Sequence, residues 1–191
     1  MTSRVIPALL LLTLAACASS PPTRFFALDP TSAAAPAAAS GAPVKIDAVH
    51  IPPALDRNSM VRGESDNQLQ ISSEDRWAGD LGEMIRRVLT QDLAGRLPGD
   101  MVIAPDSPAP PNARGIVIDI LTFQPQATGE VVLDADWTLL EGTHSNPVLR
   151  RSVHLTGSAA ASAQGEAAAM SMLLGQLADS IAAEVGGPTR R

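Results

Sequence analysis

Glu130-Val-Val-Leu-Asp-Ala-Asp-Trp-Thr-Leu-Leu-Glu141 alternates along its length, and the rest of the chain falls into place around it. Val131, Leu133, Ala135, Trp137 and Leu139 share one face, while Val132, Asp134, Asp136, Thr138 and Leu140 share the other. A period of two is the mark of a half-buried strand, with the first face in the core and the second mostly wet. Turn formers flank it at Pro125–Gly129 and Gly142–Pro147, which predicts further strands over Gly115–Gln124 and Val148–Gly157. Three strands in succession joined by short turns read as an antiparallel meander.

The period then changes on both sides of this meander. Leu81, Met84, Ile85, Val88, Leu89, Leu93 and Leu97 recur at three and four, one apolar stripe on a helix that starts near Trp77–Asp80 and stops at Pro98-Gly99. Met170, Leu173, Leu174, Leu177, Ile181 and Val185 repeat the pattern on a last helix over Gln164–Val185, ended by Gly186-Gly187-Pro188. Towards the N-terminus, Arg24–Leu28 is a short aromatic strand. Val44–Ile51 alternates with Val44, Ile46, Ala48 and His50 on one side, and Pro52-Pro53 ends it. Residues 59–64 and 67–72 read as a hairpin around Ser65-Asp66, followed by an acidic turn at Ser72–Asp75. Met101–Ala104 is a short strand before the proline-rich loop Pro105–Asn112. Hairpins instead of alternating βα units give the class α+β: a largely antiparallel sheet with two amphipathic helices packed on one face.

The first residues decide where such a domain is delivered. Arg4, the apolar run Val5–Ala16 and the small residues before Cys17 form a secretory signal with a cleavage site. The run is too short to span a bilayer, which takes roughly 20 apolar residues. It looks like a bacterial lipobox, in which residues 1–16 are removed and Cys17 is acylated. Two or more acyl chains hold stably where one holds reversibly. Ala18 after the cysteine resembles the sorting signal of outer-membrane lipoproteins. The expected organisation is a signal peptide over 1–16, a lipidated tether over 17–23, one domain over 24–187 and a tail over 188–191. Within the domain, Pro30–Pro43 lacks charge and large apolar groups and reads as a mobile loop.

Composition excludes several functions. The net charge is −6, Lys45 is the one lysine and the arginines are scattered, which argues against a basic face for nucleic acid. Tyrosine is absent and the tryptophans are Trp77 and Trp137, which argues against a stacking platform. G-x-S-x-G, H-E-x-x-H, G-x-G-x-x-G, the P-loop and paired C-x-x-C are all missing. The single cysteine is accounted for by the lipid, so the chain is read as a non-enzyme with no catalytic residue, no metal and no cofactor beyond acyl chains on Cys17. Asp134, Asp136 and His154 are the one constellation suited to a divalent ion, as in a metal-dependent periplasmic hydrolase, although charged residues also belong on the solvent face of a sheet. Asp119 is either paired or on the open face, while His50 and His144 have no evident partners.

The stretch Ile51–Arg62 remains, with Asn67-Gln-Leu69 and Arg76-Trp-Ala78 after it. It reads as a proline-stiffened connection with a turn at Asp56-Arg57 and a tryptophan plugging the helix start, or as a partner-binding loop. At these residues the chain resembles the ABC-type transport auxiliary lipoproteins, the PqiC-like family. The shared features are the early aromatic strand Phe25-Phe-Ala-Leu28, the Pro52–Arg62 segment with Leu55-Asp-Arg57, Asn67 and Leu69, and Arg76-Trp-Ala78. The chain departs from the family at Ala54, where an aromatic residue is common, and at Gly79-Asp80, where an acidic-proline pair is frequent. The resemblance implies an outer-membrane-anchored auxiliary subunit of an intermembrane lipid transport system, working with an MCE-domain protein and its permease and ATPase, with a ring of copies as one implied assembly. It also implies that Leu55, Asp56, Arg57 and Trp77 lie at or support a subunit contact. The alternative is a lipoprotein that assists assembly of an outer-membrane β-barrel machine.

Overall fold

The computed structural model describes residues 21–31, 42–65, 67–98, 101–141 and 146–186. Eight strands and two helices follow one another as β1 (Arg24–Phe26), β2 (Val44–His50), β3 (Ser59–Ser65), β4 (Gln68–Trp77), α1 (Leu81–Arg96), β5 (Val102–Ile103), β6 (Arg114–Pro125), β7 (Glu130–Glu141), β8 (Asn146–Ser158) and α2 (Ala163–Val185). The class is α+β, and the expected meander is the long antiparallel run β6-β7-β8. The strands form two sheets where one was expected, a five-stranded sheet in the order β5-β2-β6-β7-β8 and a three-stranded sheet in the order β1-β4-β3. β2 runs parallel to both β5 and β6, and β1 runs parallel to β4. Those parallel ladders join segments distant in sequence, so turn signals between neighbours carry no trace of them.

Both helices cover one face of the larger sheet. The β7 face read as core is buried from Val131 to Leu139, with Trp137 at 0% exposure. Ile116, Ile118, Ile120 and Phe123 continue it on β6, and every residue of the two predicted helix stripes is buried against it. Side chains of this size stabilise by about 1.5–3 kcal/mol each when buried, and with no disulfide to assist, this layer holds the domain together.

Local chemistry sets the helix ends. Asp80 caps α1 by accepting the Glu83 N–H at 2.9 Å, and Ser162 caps α2 by accepting the Gly165 N–H at 3.0 Å. The start of α1 is therefore Leu81, and Trp77 is the last residue of β4. At the other end of α2, the buried Arg114 guanidinium donates to the Val185 carbonyl at 3.0 Å, a cation at the negative end of the helix.

Two irregularities depart from the strict alternation read in the sequence. The β2–β6 register shifts between Ile46 and Ala48, so Val49 and Ile51 pack against the core while Ala48 and His50 pair with Val117 and Asp119 on the opposite face. In β4 the pairing jumps from Ser59↔Arg76 to Val61↔Ile71. The intervening Ser72–Asp75 is the predicted turn, here a bulge inside one long strand, with the Ser72 hydroxyl accepting the Glu74 and Asp75 N–H groups at 3.4 and 2.9 Å.

Candidate functional site

The candidate site is the loop between β2 and β3 together with the N-terminal segment that leads into the domain. Pro52 stops β2, and its carbonyl accepts the N–H groups of Leu55 at 2.9 Å and Asp56 at 3.2 Å. The Arg57 N–H donates to the Leu55 carbonyl at 2.8 Å, and the Trp77 N–H to the Asn58 carbonyl at 2.6 Å. These bonds wind the chain into a short turn locked to the end of β4.

The four residues expected at a contact therefore divide. Leu55 and Trp77 are 4% exposed and belong to the hydrophobic core, so neither can touch a partner directly. Asp56 and Arg57 are exposed at the tip and make no side-chain hydrogen bond or ion pair among the described residues. Leu55 is a buried anchor that seats the turn, Trp77 is buried at the end of β4 where its N–H holds the Asn58 carbonyl, and of the four only the adjacent acid and base are exposed to meet another surface.

The N-terminal segment is fixed from both sides. The Ala78 N–H donates to the Phe26 carbonyl at 2.8 Å, Leu28 is fully buried, and the Asp29 N–H reaches Ser171 Oγ on α2 at 3.1 Å. Thr31 then donates its N–H at 2.7 Å and its hydroxyl at 3.0 Å to Asp92 Oδ1 on α1. Arg96 closes the cluster: it donates to Thr31 Oγ1 at 3.2 Å, to the Asp92 carbonyl at 3.0 Å and to Asp179 Oδ1 on α2 at 2.5 Å. Burial pushes the Asp92 carboxyl above the usual carboxylate range, against the pull of the Thr31 hydrogen bonds and Arg96. Gly175 lets the segment pass, since a Cβ there would collide with the Thr31 side chain.

A second cluster ties the small sheet to α2. Arg62 lies 2.7 Å from Glu166 and 3.3 Å from Asp75, and Arg24 on β1 lies 2.6 Å from Asp75. Burial raises the Asp75 carboxyl, but hydrogen bonds from Arg24 and Arg62 outweigh it and hold the group below the usual range. Neither cluster was found from the sequence. The available signal was Asp92 and Arg96 spaced by four within the apolar stripe of α1, positions that an exposed acid and base have no reason to occupy.

The carboxylates on the open face of the large sheet are already engaged. Asp134 pairs with His154 at 2.5 Å, and Asp136 accepts from Ser152 at 2.6 Å and Arg150 at 2.9 Å. The Ser152 and Arg150 hydrogen bonds hold Asp136 below its ordinary range. Asp119 is both on the open face and paired, accepting from His50 at 2.7 Å, so the bulge at Asp47 supplies the partner that His50 lacked in the sequence reading. Among the described residues no cluster of three or more His, Cys, Asp or Glu is arranged to hold a metal ion. Cys17 and His144 lie outside the described residues, as does 32–41 of the predicted Pro30–Pro43 loop.

Comparison with known proteins places this architecture. The family model of the ABC-type transport auxiliary lipoprotein component matches residues 26–182, nearly all of the folded unit from β1 to the last turn of α2. The chain belongs to that family. Two curated relatives, both intermembrane transport lipoprotein PqiC, from Escherichia coli K12 and Shigella flexneri, are each 25% identical over 112 residues. That alignment covers 59% of this chain and 57% of the relatives' length. Among solved structures, one of an uncharacterized protein superposes with a TM-score of 0.75 at 21% identity, covering 86% of this chain and 99% of that one. Protein XCC0632 of Xanthomonas campestris superposes with a TM-score of 0.66 at 16% identity, covering 85% and 93%. At these identities the structural matches speak for the fold alone.

Proposed function

We propose that this chain is a non-catalytic, lipid-anchored subunit of an intermembrane lipid transport system, held at the outer membrane through acyl chains on Cys17 and bound to an MCE-domain protein that works with its own permease and ATPase. The observation that carries the reading is the family match over nearly all of the folded unit, joined to an apolar run that ends at the single cysteine of the chain. No helix among the described residues is long and apolar enough to cross a membrane. The one cluster suited to metal hydrolysis in the sequence has its carboxylates bonded to serine, arginine and histidine.

The mechanism is positional. Residues 17–23 reach about 25 Å at most, at roughly 3.3–3.6 Å per residue. Such a short tether raises the effective concentration of the domain beside the bilayer, so that a weak contact at the loop tip suffices to hold a partner there. The hydrogen bonds of Asp29 and Thr31 fix the segment that follows β1 against the two helices, so that the tether enters a firmly held part of the domain. Asp56 and Arg57 form the contact surface, and Leu55 and Trp77 support it from beneath. The test is intact mass and density-gradient fractionation of the mature protein from envelopes. Two or more acyl chains on Cys17 and co-sedimentation with outer membrane support the anchoring. An unmodified Cys17 in the soluble fraction contradicts it.

A further inference from the structure

The tether leads into β1, and β1 carries the one exposed aromatic side chain among the described residues. Phe25 is 66% exposed, while Phe26, Phe123, Trp77 and Trp137 are wholly or partly buried. Arg24 lies over the Phe26 ring, 5.9 Å from its centroid, and leaves Phe25 uncovered. Beside Phe25 an open groove of about 490 Å³ runs between the N-terminal segment and α2, with Ala27, Pro30 and Ala168 along its walls. Ala168 belongs to the outward row Gln164, Ala168, Met172 and Gln176, whose spacing of four places side chains on one helix face. Met172, one turn beyond Ala168, is 52% exposed. Large apolar groups gathered on one side of a folded protein mark a contact surface.

Charge and the position of the anchor select what covers it. The chain has 20 acidic residues and a net charge of −6, yet α2 carries no charged side chain from Ala167 to Ala178. The charges bordering this face are matched within the protein: Arg24 with Asp75 at 2.6 Å, Arg62 with Glu166 at 2.7 Å and Arg96 with Asp179 at 2.5 Å. Asp29 is the one carboxylate along the groove, four residues beyond Phe25. An acidic protein is repelled by anionic headgroups, so a face nearly free of carboxylates is the one that can approach them. Cys17 stands eight residues before Phe25, which limits their separation to about 29 Å at roughly 3.3–3.6 Å per residue. However the domain turns, this end stays beside the bilayer that holds the acyl chains.

We propose that this face rests on the membrane surface: Phe25 and Met172 enter the headgroup–acyl boundary of the bilayer that holds Cys17, with Gln164 and Gln176 at headgroup level. The domain is then seated on the bilayer along α2 instead of swinging on its tether. The inference rests on the anchoring proposed above, because the apolar contact is small and the tether supplies the local concentration that makes it effective.

The test uses the mature full-length lipoprotein in vesicles of phosphatidylethanolamine and phosphatidylglycerol, with and without bromine on the acyl chains, and intact mass on the same sample. Phe25→Trp and Met172→Trp are each compared with Leu121→Trp, an equally exposed position on the open face of the large sheet, over the baseline of Trp77 and Trp137. Phe25→Trp and Met172→Trp are expected to shift to the blue and to lose severalfold more emission to the brominated lipid than Leu121→Trp. Either reports alone if the other does not fold. Adding Phe25→Asp to Met172→Trp is expected to undo most of that loss. An acylated Cys17 with both positions quenched no more than Leu121→Trp overturns the inference and leaves the anchoring standing. An unmodified Cys17 removes the anchoring and the inference with it. A blue shift without quenching, accompanied by self-association, assigns the face to a second copy and also overturns it.

Discussion

Arg57 and Leu55 stand two positions apart and have opposite roles. Arg57→Glu reverses an exposed, unpaired charge, so thermal unfolding is expected to shift by no more than a degree or two while partner binding falls; calorimetry and co-purification on the same sample check both. Leu55→Ala removes a buried anchor and is expected to cost about 2–5 kcal/mol in urea unfolding, by lost burial and the cavity left behind. The two carboxylates of the buried clusters respond to pH in opposite senses. Asp75 is held low, so its contribution is fully present above the usual carboxylate range and is lost as pH falls through the depressed value. Asp92 is held high, so the folded state binds its proton more tightly than the unfolded chain, and stability declines as pH rises through the raised value. Asp75→Asn is expected to flatten the acid side of the stability–pH curve and Asp92→Asn the side above it, measured by urea unfolding from pH 3 to 8. A curve unchanged in either variant contradicts the assignment of that group. The Thr31–Asp92 contact spans 61 residues, and no local pattern announces it.

At the scale of elements, what repeats along the chain was legible and what pairs across it was not. Both helical stripes and the meander of β6, β7 and β8 follow from period alone, because their partners are sequence neighbours or a shared apolar layer. The phase of β2 was lost at Asp47, since one extra residue turns every later side chain to the other face. The acid-rich stretch Ser72–Asp75, expected as a turn, lies instead within β4, because Arg24–Phe26 pairs with the far part of that strand. Gly175 in α2 shows how an element records a distant contact. Gly175→Ala gains about 1 kcal/mol of helix propensity but must displace Thr31, an overpacking cost of about 1–3 kcal/mol. A small net destabilisation is expected, with faster hydrogen exchange at Asp29 and Thr31. Net stabilisation with unchanged exchange would mean that the segment does not press on α2.

For the molecule as a whole, the sheet, the two helices and the entering N-terminal segment make one body whose free features are an exposed acid-base tip and an apolar face beside the tether. Among the described residues, the carboxylates on the open face of the large sheet are held by neighbouring histidine, serine and arginine side chains. Of the four residues expected from the sequence to lie at or support a contact, Asp56 and Arg57 are exposed and Leu55 and Trp77 are buried. What the sequence does not mark is the winding of the turn, in which the Pro52 carbonyl accepts from both Leu55 and Asp56 while Leu55 is buried and Asp56 is exposed. The most direct measurement is co-purification from gently solubilised envelopes of the full-length protein tagged at Arg191, beside Cys17→Ala and Arg57→Glu, with partners quantified by mass spectrometry. The expected result is an MCE-domain protein recovered with its permease or ATPase by the unmodified chain and strongly reduced with either variant. Recovery of a β-barrel protein alone, or of no envelope partner, would contradict a role in intermembrane transport.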